Sequence, residues 1–192
     1  MSGMTTTITH ATLADLEAGL EDIRQSPRDE GVLRMIVRRP AVGARELLEQ
    51  GELDVADGLV GDTWRTRWSR RTADGSAHPD MQINIMNARA VALVARHEDR
   101  WPLAGDQLFI DLDLTAANLP PGTRLAIGTA ILEITAEPHT GCAKFIERFG
   151  VDAAKFVNSA VGRTLNLRGI NAKVVTSGTI RVGDVAKKLT LG

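Results

Sequence analysis

The strongest fold signal of the chain lies in Leu119–Gly150, which reads LPPGTRLAIGTAILEITAEPHTGCAKFIERFG. Residues 120–122 (PPG) form a turn, and apolar residues alternate with other residues over 124–127. A Gly-Thr pair then reverses the chain, and the alternation resumes over 130–134. The segment therefore predicts a β-hairpin.

The rest of the C-terminal half also predicts short elements. Two short helices follow the hairpin, over 142–149 and 152–161, each closed by a glycine. A second hairpin is predicted where 173–176 and 179–182 flank a Ser-Gly pair. Because short runs separated by Gly, Pro and Asn are typical of all-β domains, we expect a mainly β fold with short helices, an α+β class.

The N-terminal end predicts a helix followed by a strand. Apolar residues at 13, 16, 20 and 23 repeat at steps of three and four, which places them on one stripe of a leading helix over Thr12–Arg24. Thr12 and Asp15 supply a capping box at its start. The run Val32–Val37, closed by Pro40, is short and β-branched and predicts a strand.

The middle of the chain is less regular. Residues 44–50 predict one or two helical turns, and residues 58–79 lack a period and predict mostly loop. Residues 82–86 alternate polar and apolar side chains, which predicts a half-buried strand. A helix over 88–95, capped by Asn87, is predicted to follow it.

Composition excludes several classes of protein. With 192 residues and 43% hydrophobic content, the chain can bury one substantial core. A formal net charge of -1 lacks the basicity of a nucleic-acid binder. No run approaches the roughly 18 apolar residues of a membrane span, and the N-terminus lacks the pattern of a signal peptide. We therefore expect a cytoplasmic protein that binds neither nucleic acid nor membrane.

Cys142 is the only cysteine, so it forms neither an internal disulfide nor a Cys-rich zinc site. Gly141 permits a sharp turn before it, and Cys142 then begins a predicted helix. The helix N-terminus, with Lys144 and Arg148 nearby, would favour the thiolate, which attacks sulfur or binds a metal. The alternative is that Cys142 is a small buried hydrophobic residue.

Two other groups of residues carry open alternatives. The arginine-tryptophan loop, Trp64–Arg71, interleaves four arginines with two tryptophans. It is either a solvated loop anchored to the core by its tryptophans or the rim of an anionic cofactor pocket, and nucleic-acid binding is a weaker alternative. Asp111 and Asp113 share one face of a predicted strand, where they either serve a cation or acid-base site or lie on a solvated face.

Five segments resemble the MOSC domain, named for the C-terminal part of molybdenum-cofactor sulfurases. The resemblance spans roughly residues 32–189 and rests on the order and separations of the segments. It implies a closed, MOSC-type β-barrel over 32–192, preceded by an N-terminal helical extension over 1–31. The segments are GLVGD, GDQLFIDLDL, LPPGTRLAIGTAILEIT, PHTGCAKF and RGINAKVVTSGTIRVGD.

The resemblance also implies a site. Cys142 would be the catalytic residue and would ligate molybdenum held by a molybdopterin cofactor, or would carry sulfur. Arg163 and Arg168 suit the anionic groups of that cofactor, because guanidinium donors pair with oxyanions, although a solvated loop is the alternative. The residues expected to bind the cofactor are His139, Thr140, Lys144, Arg163, Asn166 and Arg168.

The residues just before the cysteine, 138–141, depart from the family's pattern. The family often reads P-R-x-P-C, whereas this chain reads PHTGC, so His139 stands where the arginine is expected. A permanent charge is replaced by an imidazole that titrates near neutrality. The family's G-E-N-L appears as GDQL over 105–108, and Thr63 and Trp64 follow Asp62 where a His or Lys is common.

Two functions follow from the resemblance. One is the reduction of N-hydroxylated small molecules, with electrons from a partner protein because the chain has no flavin, haem or iron-sulfur signature. The other is a non-catalytic carrier of cofactor or persulfide, or a binding module that has lost cofactor chemistry. In that case the helix Thr12–Arg24 is either a docking surface for a partner or a cover for the barrel. The wider family is also linked to pyridoxal phosphate, but no lysine here has a recognisable Schiff-base context. The sequence leaves open whether the protein is an enzyme.

Overall fold

The structure is a computed structural model, and it describes residues 8–190. The α-helices in this range are α1 (Leu13–Ala18), α2 (Leu20–Arg24), α3 (Ala88–Ala95), α4 (Ala143–Phe149), α5 (Val151–Asn158) and α6 (Ala160–Thr164). The strands are β1 (Glu30–Arg38), β2 (Glu46–Leu48), β3 (Gln50–Asp54), β4 (Gly58–Leu59), β5 (Ile83–Asn87), β6 (Leu108–Asp111), β7 (Arg124–Ile127), β8 (Ala130–Ile134), β9 (Ile170–Thr176), β10 (Gly178–Arg181) and β11 (Val185–Leu189). Short 3-10 turns cover Trp64–Thr66, Pro79–Met81 and Glu98–Ala104.

Seven of these strands close into a barrel in the order β11, β7, β8, β9, β5, β6 and β1, and β1 pairs back with β11. The length of β1 makes closure possible, because residues 30–32 pair with β11 while residues 32–36 pair with β6. The strand pairs are antiparallel apart from the parallel pair β5 and β6. The predicted closed, mainly β fold with short helices is confirmed.

The predicted hairpin over 124–134 is formed by β7 and β8, with Leu125 opposite Leu132 and Ile127 opposite Ala130. These four side chains are buried inside the barrel. The alternation that predicted the hairpin therefore also determines which face of each strand fills the barrel.

Two hydrophobic clusters make up the core. One fills the barrel with alternate side chains of its strands, such as Leu33, Ile85 and Ile110. The other lies outside the barrel, between the helices and the outer faces of β1, β5 and β6. On the barrel side it contains residues such as Met35 and Phe109. Helix α4, which follows Cys142, is packed into this outer cluster through Phe145 and Phe149.

The second predicted hairpin is wrong. Strand β9 pairs with β5 and β8 in the barrel, whereas β10 leaves the barrel and pairs with β3 in a separate three-stranded sheet, β10-β3-β4. The Ser-Gly pair at 177–178 moves the chain from one sheet to the other. Two strands that follow each other in sequence need not pair when each has a partner in a different sheet.

The helical turns predicted over 44–50 are also wrong. Strand β2 instead pairs with the end of β1, with Glu46 opposite Arg38. The Nε of Arg38 donates a hydrogen bond to Glu46 at 2.9 Å. Pairing with an existing strand overrides the helical preference of the Glu-Leu-Leu-Glu-Gln run.

The other helix predictions were correct in type and less accurate in their limits. The leading helix is divided into α1 and α2 at Gly19, and its Thr12–Asp15 capping box is present. The predicted helix 152–161 is divided into α5 and α6, and Gly162 lies inside α6 rather than closing a helix. Helix α3 has its predicted bounds and its Asn87 cap. Strand β5 is buried along its whole length, not on one face.

Within residues 8–190, no helix combines the length and the apolar character that crossing a membrane requires.

Candidate functional site

The cysteine segment, residues 135–142, leaves the barrel at the end of β8 and leads into α4. Side chains from elsewhere in the fold hold its backbone. The Nδ2 of Asn171 donates to the carbonyl of Glu137 at 3.0 Å, and the Oδ1 of Asn158 accepts from the N–H of Gly141 at 3.1 Å. The structure places Cys142 at the N-cap of α4 with an exposed side chain. The alternative of a buried, purely structural cysteine is therefore wrong.

Cys142 lies on the wall of a cavity of about 610 Å³, here called the front cavity. Its other walls come from the loop after β1, the arginine-tryptophan loop, the chain before β6 and the body of α4. Segments far apart in sequence thus meet around the single thiol, and the closed barrel brings them together.

The front cavity has an excess of positive charge. Two of its six cationic side chains are neutralised by buried acids, Arg39 by Asp62 and Arg168 by Asp106, with N–O distances of 2.8 and 2.6 Å. The other four have no acidic partner among the described residues. They are Arg45, Arg67, Lys144 and Arg148.

These unpaired groups repel one another. Arg45 and Arg148 donate only to backbone carbonyls, such as those of Pro102 at 3.1 Å and Leu103 at 2.8 Å. Burial lowers the pKa of Arg45, and the positive charges of Arg148 and Arg39 lower it further. An anion in the cavity would relieve this repulsion.

Arg67 reaches the same cavity from the arginine-tryptophan loop. Its guanidinium donates to the hydroxyl of Thr63 at 3.2 Å. Loss of solvent around the guanidinium and the nearby charge of Arg39 lower the pKa of Arg67 to about 10. The group still carries its charge at neutral pH and adds to the positive field of the cavity.

The Arg39–Asp62 pair is a rigid buried part of the wall. Both side chains are almost fully buried, and Arg39 also donates to the Oδ1 of Asn84 at 3.1 Å and to the carbonyl of Gly105 at 2.9 Å. Burial would raise the pKa of Asp62, but the hydrogen bonds and the charge of Arg39 outweigh it and lower the pKa. Arg39 therefore fixes the loop after β1 to the chain before β6.

A second buried group joins His139, Asp106 and Arg168. The Nδ1 of His139 lies 3.4 Å from the Oδ1 of Asp106, but neither atom has a hydrogen-bond partner, and the Nε of Arg168 has none either. Burial, together with the charges of Arg168 and Arg39, lowers the pKa of His139 to about 4 against the opposing effect of Asp106. His139 is therefore a neutral imidazole at neutral pH.

The cysteine segment separates the front cavity from a rear cavity of about 220 Å³. His139 and Arg168 border both cavities. Five of the six residues predicted to bind the cofactor line the rear cavity, while Lys144 and Cys142 line the front one. Those five are His139, Thr140, Arg163, Asn166 and Arg168.

The five residues are not equally available to a ligand. The Nδ2 of Asn166 donates to the carbonyl of Leu114 at 2.8 Å, and two donors of Arg168 are engaged by Asp106 and the carbonyl of Ala104. Thr140 and Arg163 are exposed. Arg168 and Asn166 thus shape the walls, whereas Thr140 and Arg163 remain accessible.

Sequence reasoning missed Arg39 and Arg45 as wall residues and predicted Arg148 only as a positive charge near the thiol. The sequence feature that points to Arg39 is Asp62 of the GLVGD segment, because a buried carboxylate requires a cationic partner. The anchoring of the arginine-tryptophan loop to the core is confirmed, and its role as the rim of a cofactor pocket stays a prediction. Trp64 is buried and anchors the loop, while Arg67 and Trp68 border the front cavity.

Asp111 and Asp113 do not form a joint site. Asp111 pairs with Arg89 at 2.8 Å, and Asp113 accepts from the N–H of Thr115 at 2.9 Å. Among the described residues, no group of three or more His, Cys, Asp or Glu side chains is arranged to hold a metal ion. The two carboxylates therefore have structural partners.

The family model described as the MOSC domain matches residues 73–187 of the chain. The chain belongs to the MOSC domain family. The matched part of this MOSC domain contains the cysteine segment, α4 and the β7–β8 hairpin, while Arg39 and Arg45 precede it. The predicted family resemblance is confirmed.

Solved structures support the same fold. The MOSC domain superimposes on the YuaD protein from Bacillus subtilis with a TM-score of 0.64 at 19% identity, covering 85% of this chain and 97% of that one. The YiiM protein from Escherichia coli gives a TM-score of 0.54 at 16% identity, covering 84% and 71%. YiiM from Geobacillus stearothermophilus gives 0.51 at 13% identity, covering 86% and 75%. A search of curated sequences found no match.

Proposed function

We propose that this MOSC domain binds a molybdenum cofactor in the front cavity, with Cys142 as the metal ligand. One observation carries the proposal: the only thiol of the chain is exposed on the wall of a cavity in which four cationic side chains lack an acidic partner. MOSC domains are associated with this cofactor in general. A molybdopterin is anionic through its phosphate and its sulfur atoms, so its charge matches the cavity.

The chemistry of the wall fits such a group. The volume of about 610 Å³ lies within the range of roughly 300–1,000 Å³ typical of cofactor sites. Arg45, Arg67 and Arg148 would hold its anionic groups, and Cys142 would ligate its metal through the thiolate. Arg168 offers a buried Nε without a partner on the same wall. When bound, the cofactor would supply two-electron redox chemistry that the side chains themselves lack.

The reaction proposed for the site is the reduction of N-hydroxylated small molecules. In this reaction the N–O bond breaks, two electrons and two protons are consumed, and water is released. The electrons would come from a partner protein. The four cationic side chains without an acidic partner keep the cavity positive, which suits a donor protein with an acidic docking face.

The molybdenum content of the purified protein tests the ligand assignment. The protein is produced in a host that makes the cofactor, and wild type is compared with Cys142→Ala by elemental mass spectrometry. We expect near-stoichiometric metal in wild type and a loss of at least tenfold in the variant. Metal absent from both proteins, or equal in both, contradicts the proposal.

The positive cavity is tested separately. Arg45→Gln and Arg148→Gln each remove one unpaired charge, whereas Arg24→Gln removes an exposed arginine from α2 and serves as the matched control. Each cavity variant is expected to retain less molybdenum after dialysis at raised salt, and the control to match wild type. Equal retention in all proteins would show that the cavity charge does not hold the cofactor.

A non-catalytic carrier is the second candidate, and the exposure of Cys142 favours it because a partner can reach the thiol directly. Turnover separates the two functions. Metal-loaded protein, an electron donor and an N-hydroxylated compound should give amine product if the site is catalytic. A carrier binds the metal but forms no product under the same conditions.

A further inference from the structure

A smaller pocket opens beside the front cavity, at the arginine-tryptophan loop. It has a volume of about 170 Å³ and is called the tryptophan pocket. A cavity of about 150 Å³ is large enough to hold benzene, so this pocket has the size of one six-membered ring. The side chains that matter for its chemistry are Trp64, Arg67, Trp68, His78, Met81 and Asn84.

The two indoles on its walls are held by their surroundings. Trp64 is 8% exposed, and its ring N–H donates to the carbonyl of His78 at 3.2 Å. A Cβ on Gly75 would lie 2.3 Å from the Nε1 of Trp68, so this glycine lets the Trp68 indole lie against the loop backbone. Both rings are thus oriented before any ligand arrives, which lowers the entropic cost of binding.

Trp68 is unusual because 69% of it remains exposed. Exposed indoles lose favourable apolar burial, and a ring stacked on Trp68 would recover part of it. The aromatic pairs found among the described residues are Trp101–Phe109 and Phe145–Phe149, so Trp64 and Trp68 do not stack on each other. Trp64 is nearly buried, and the guanidinium of Arg70 lies over the Trp68 ring, 5.9 Å from its centroid, so a ligand would stack on the face of Trp68 opposite Arg70.

The tryptophan pocket and the front cavity are adjacent and share part of their walls. Arg67, Trp68, Met81 and Asn84 border both, while Cys142 borders the front cavity. A ligand whose ring lies in the tryptophan pocket would extend its substituent past Arg67 towards the Cys142 wall. The unpaired guanidinium of Arg67 suits a substituent that carries oxygen.

We infer that the tryptophan pocket binds one planar aromatic ring, stacked on Trp68, and that the substrates of this site are aromatic compounds with an oxygen-bearing group directed into the front cavity. The pocket itself is independent of the cofactor. Only the placement of the reacting group rests on the proposed function.

Two uncharged amides test the pocket directly. Benzamide and cyclohexanecarboxamide share the amide and the ring size and differ in planarity. Calorimetry on the purified protein should give about 2- to 10-fold tighter binding of benzamide, the range expected for one aromatic contact. Benzamide should also quench tryptophan fluorescence. Equal affinities, or no binding of either amide, would overturn the inference.

Variants locate the contact. Trp68→Phe keeps an aromatic face and should keep the preference for benzamide, whereas Trp68→Leu should abolish it. Leu47→Ala changes another exposed apolar side chain, outside the pocket, and should bind like wild type. A preference that survives Trp68→Leu places the ring elsewhere and overturns the inference.

Molybdenum content measured on the same samples separates the two proposals. If the protein contains no metal but prefers benzamide, the tryptophan pocket is supported and the cofactor proposal fails. Metal bound through Cys142 without any preference for benzamide supports the cofactor and overturns the aromatic inference.

Discussion

His139 shows how a single residue changes the character of this site. It stands where the related pattern carries an arginine, and it lies between the front and rear cavities beside Asp106 and Arg168. A permanent cation here would add to an already positive wall. The neutral imidazole keeps the wall from becoming more positive and leaves the Asp106–Arg168 pair as the fixed charges.

The low pKa of His139 predicts a pH dependence of stability. Its pKa is about 4 in the folded protein and 6.5 in a free side chain, so between these values the unfolded chain binds a proton that the folded one does not. The contribution of neutral His139 to the stability of the fold is fully present above pH 6.5 and is lost as the pH falls towards 4. We expect a loss of up to about 3 kcal/mol in the free energy of unfolding over this window.

Urea unfolding of His139→Gln between pH 4 and 7 measures this contribution. In this variant the free energy of unfolding should fall less steeply as the pH is lowered. The control His97→Gln, which changes an exposed histidine, should keep the pH dependence of wild type. A wild-type slope retained in His139→Gln would show that the group titrates normally in the fold.

The buried Arg39–Asp62 pair gives the second prediction at this scale. Arg39→Met leaves Asp62 buried without its cation, and we expect it to lower the free energy of unfolding by about 3–5 kcal/mol. The double variant Arg39→Met/Asp62→Leu removes both charges and should be more stable than Arg39→Met alone. Urea midpoints compare the three proteins, and a double variant no more stable than the single one would refute the pairing argument.

At the scale of secondary-structure elements, the sequence predicted what was local. Hairpin β7–β8 and helix α3 carry their own signals, an alternation around a turn and an asparagine cap, so both were found. Strand β10 lacks such a signal because its partner β3 lies far away in sequence. Strand β2 pairs with the neighbouring strand β1, but its own residues favour a helix, so the pairing was missed. Periodicity specifies a face of a strand but not its neighbour.

The candidate site follows the same division. Cys142 and the rear-cavity residues come from a short region of sequence and were predicted together. The arginines of the front cavity come from the loop after β1, from the arginine-tryptophan loop and from α4, and only closure of the barrel brings them into one wall. Their shared role could not be predicted from spacing.

Barrel closure at β1 gives a prediction for one glycine. Gly31 pairs with Ala186 of β11, and a Cβ on it would lie 2.2 Å from the carbonyl oxygen of Asp111 on β6. Gly31→Ala should therefore destabilise the protein by about 2–3 kcal/mol, roughly 4–12 °C in Tm. Val32→Ala changes the next, partly exposed side chain of the same strand and should have a much smaller effect in the same thermal scan.

At the scale of the whole molecule, the N-terminal helices and the barrel share one core. Leu16 of α1 and Ile23 of α2 belong to the cluster that also contains Met35 and Phe109 on the outer face of the barrel. The division into an extension over 1–31 and a barrel domain over 32–192 stays a prediction. The shared cluster indicates that the two parts stabilise each other.

A matched pair of leucines measures this coupling. Leu16 is fully buried and Leu47 is 60% exposed. We expect Leu16→Ala to lower the free energy of unfolding by about 2–5 kcal/mol, because it leaves a cavity between helix and barrel. Leu47→Ala should change it by less than about 0.5 kcal/mol. Equal urea midpoints for the two variants would mean that the helices contribute little to the fold.

The single exposed thiol is also a unique site for attaching a spectroscopic label. Because Cys142 is the only cysteine among 192 residues, a maleimide dye or a nitroxide spin label attaches at one known position without any engineering. The label then sits at the wall of the front cavity, where its mobility and its reaction rate report on whatever fills that space. Protection of one sulfur atom from alkylation becomes a simple titration of occupancy.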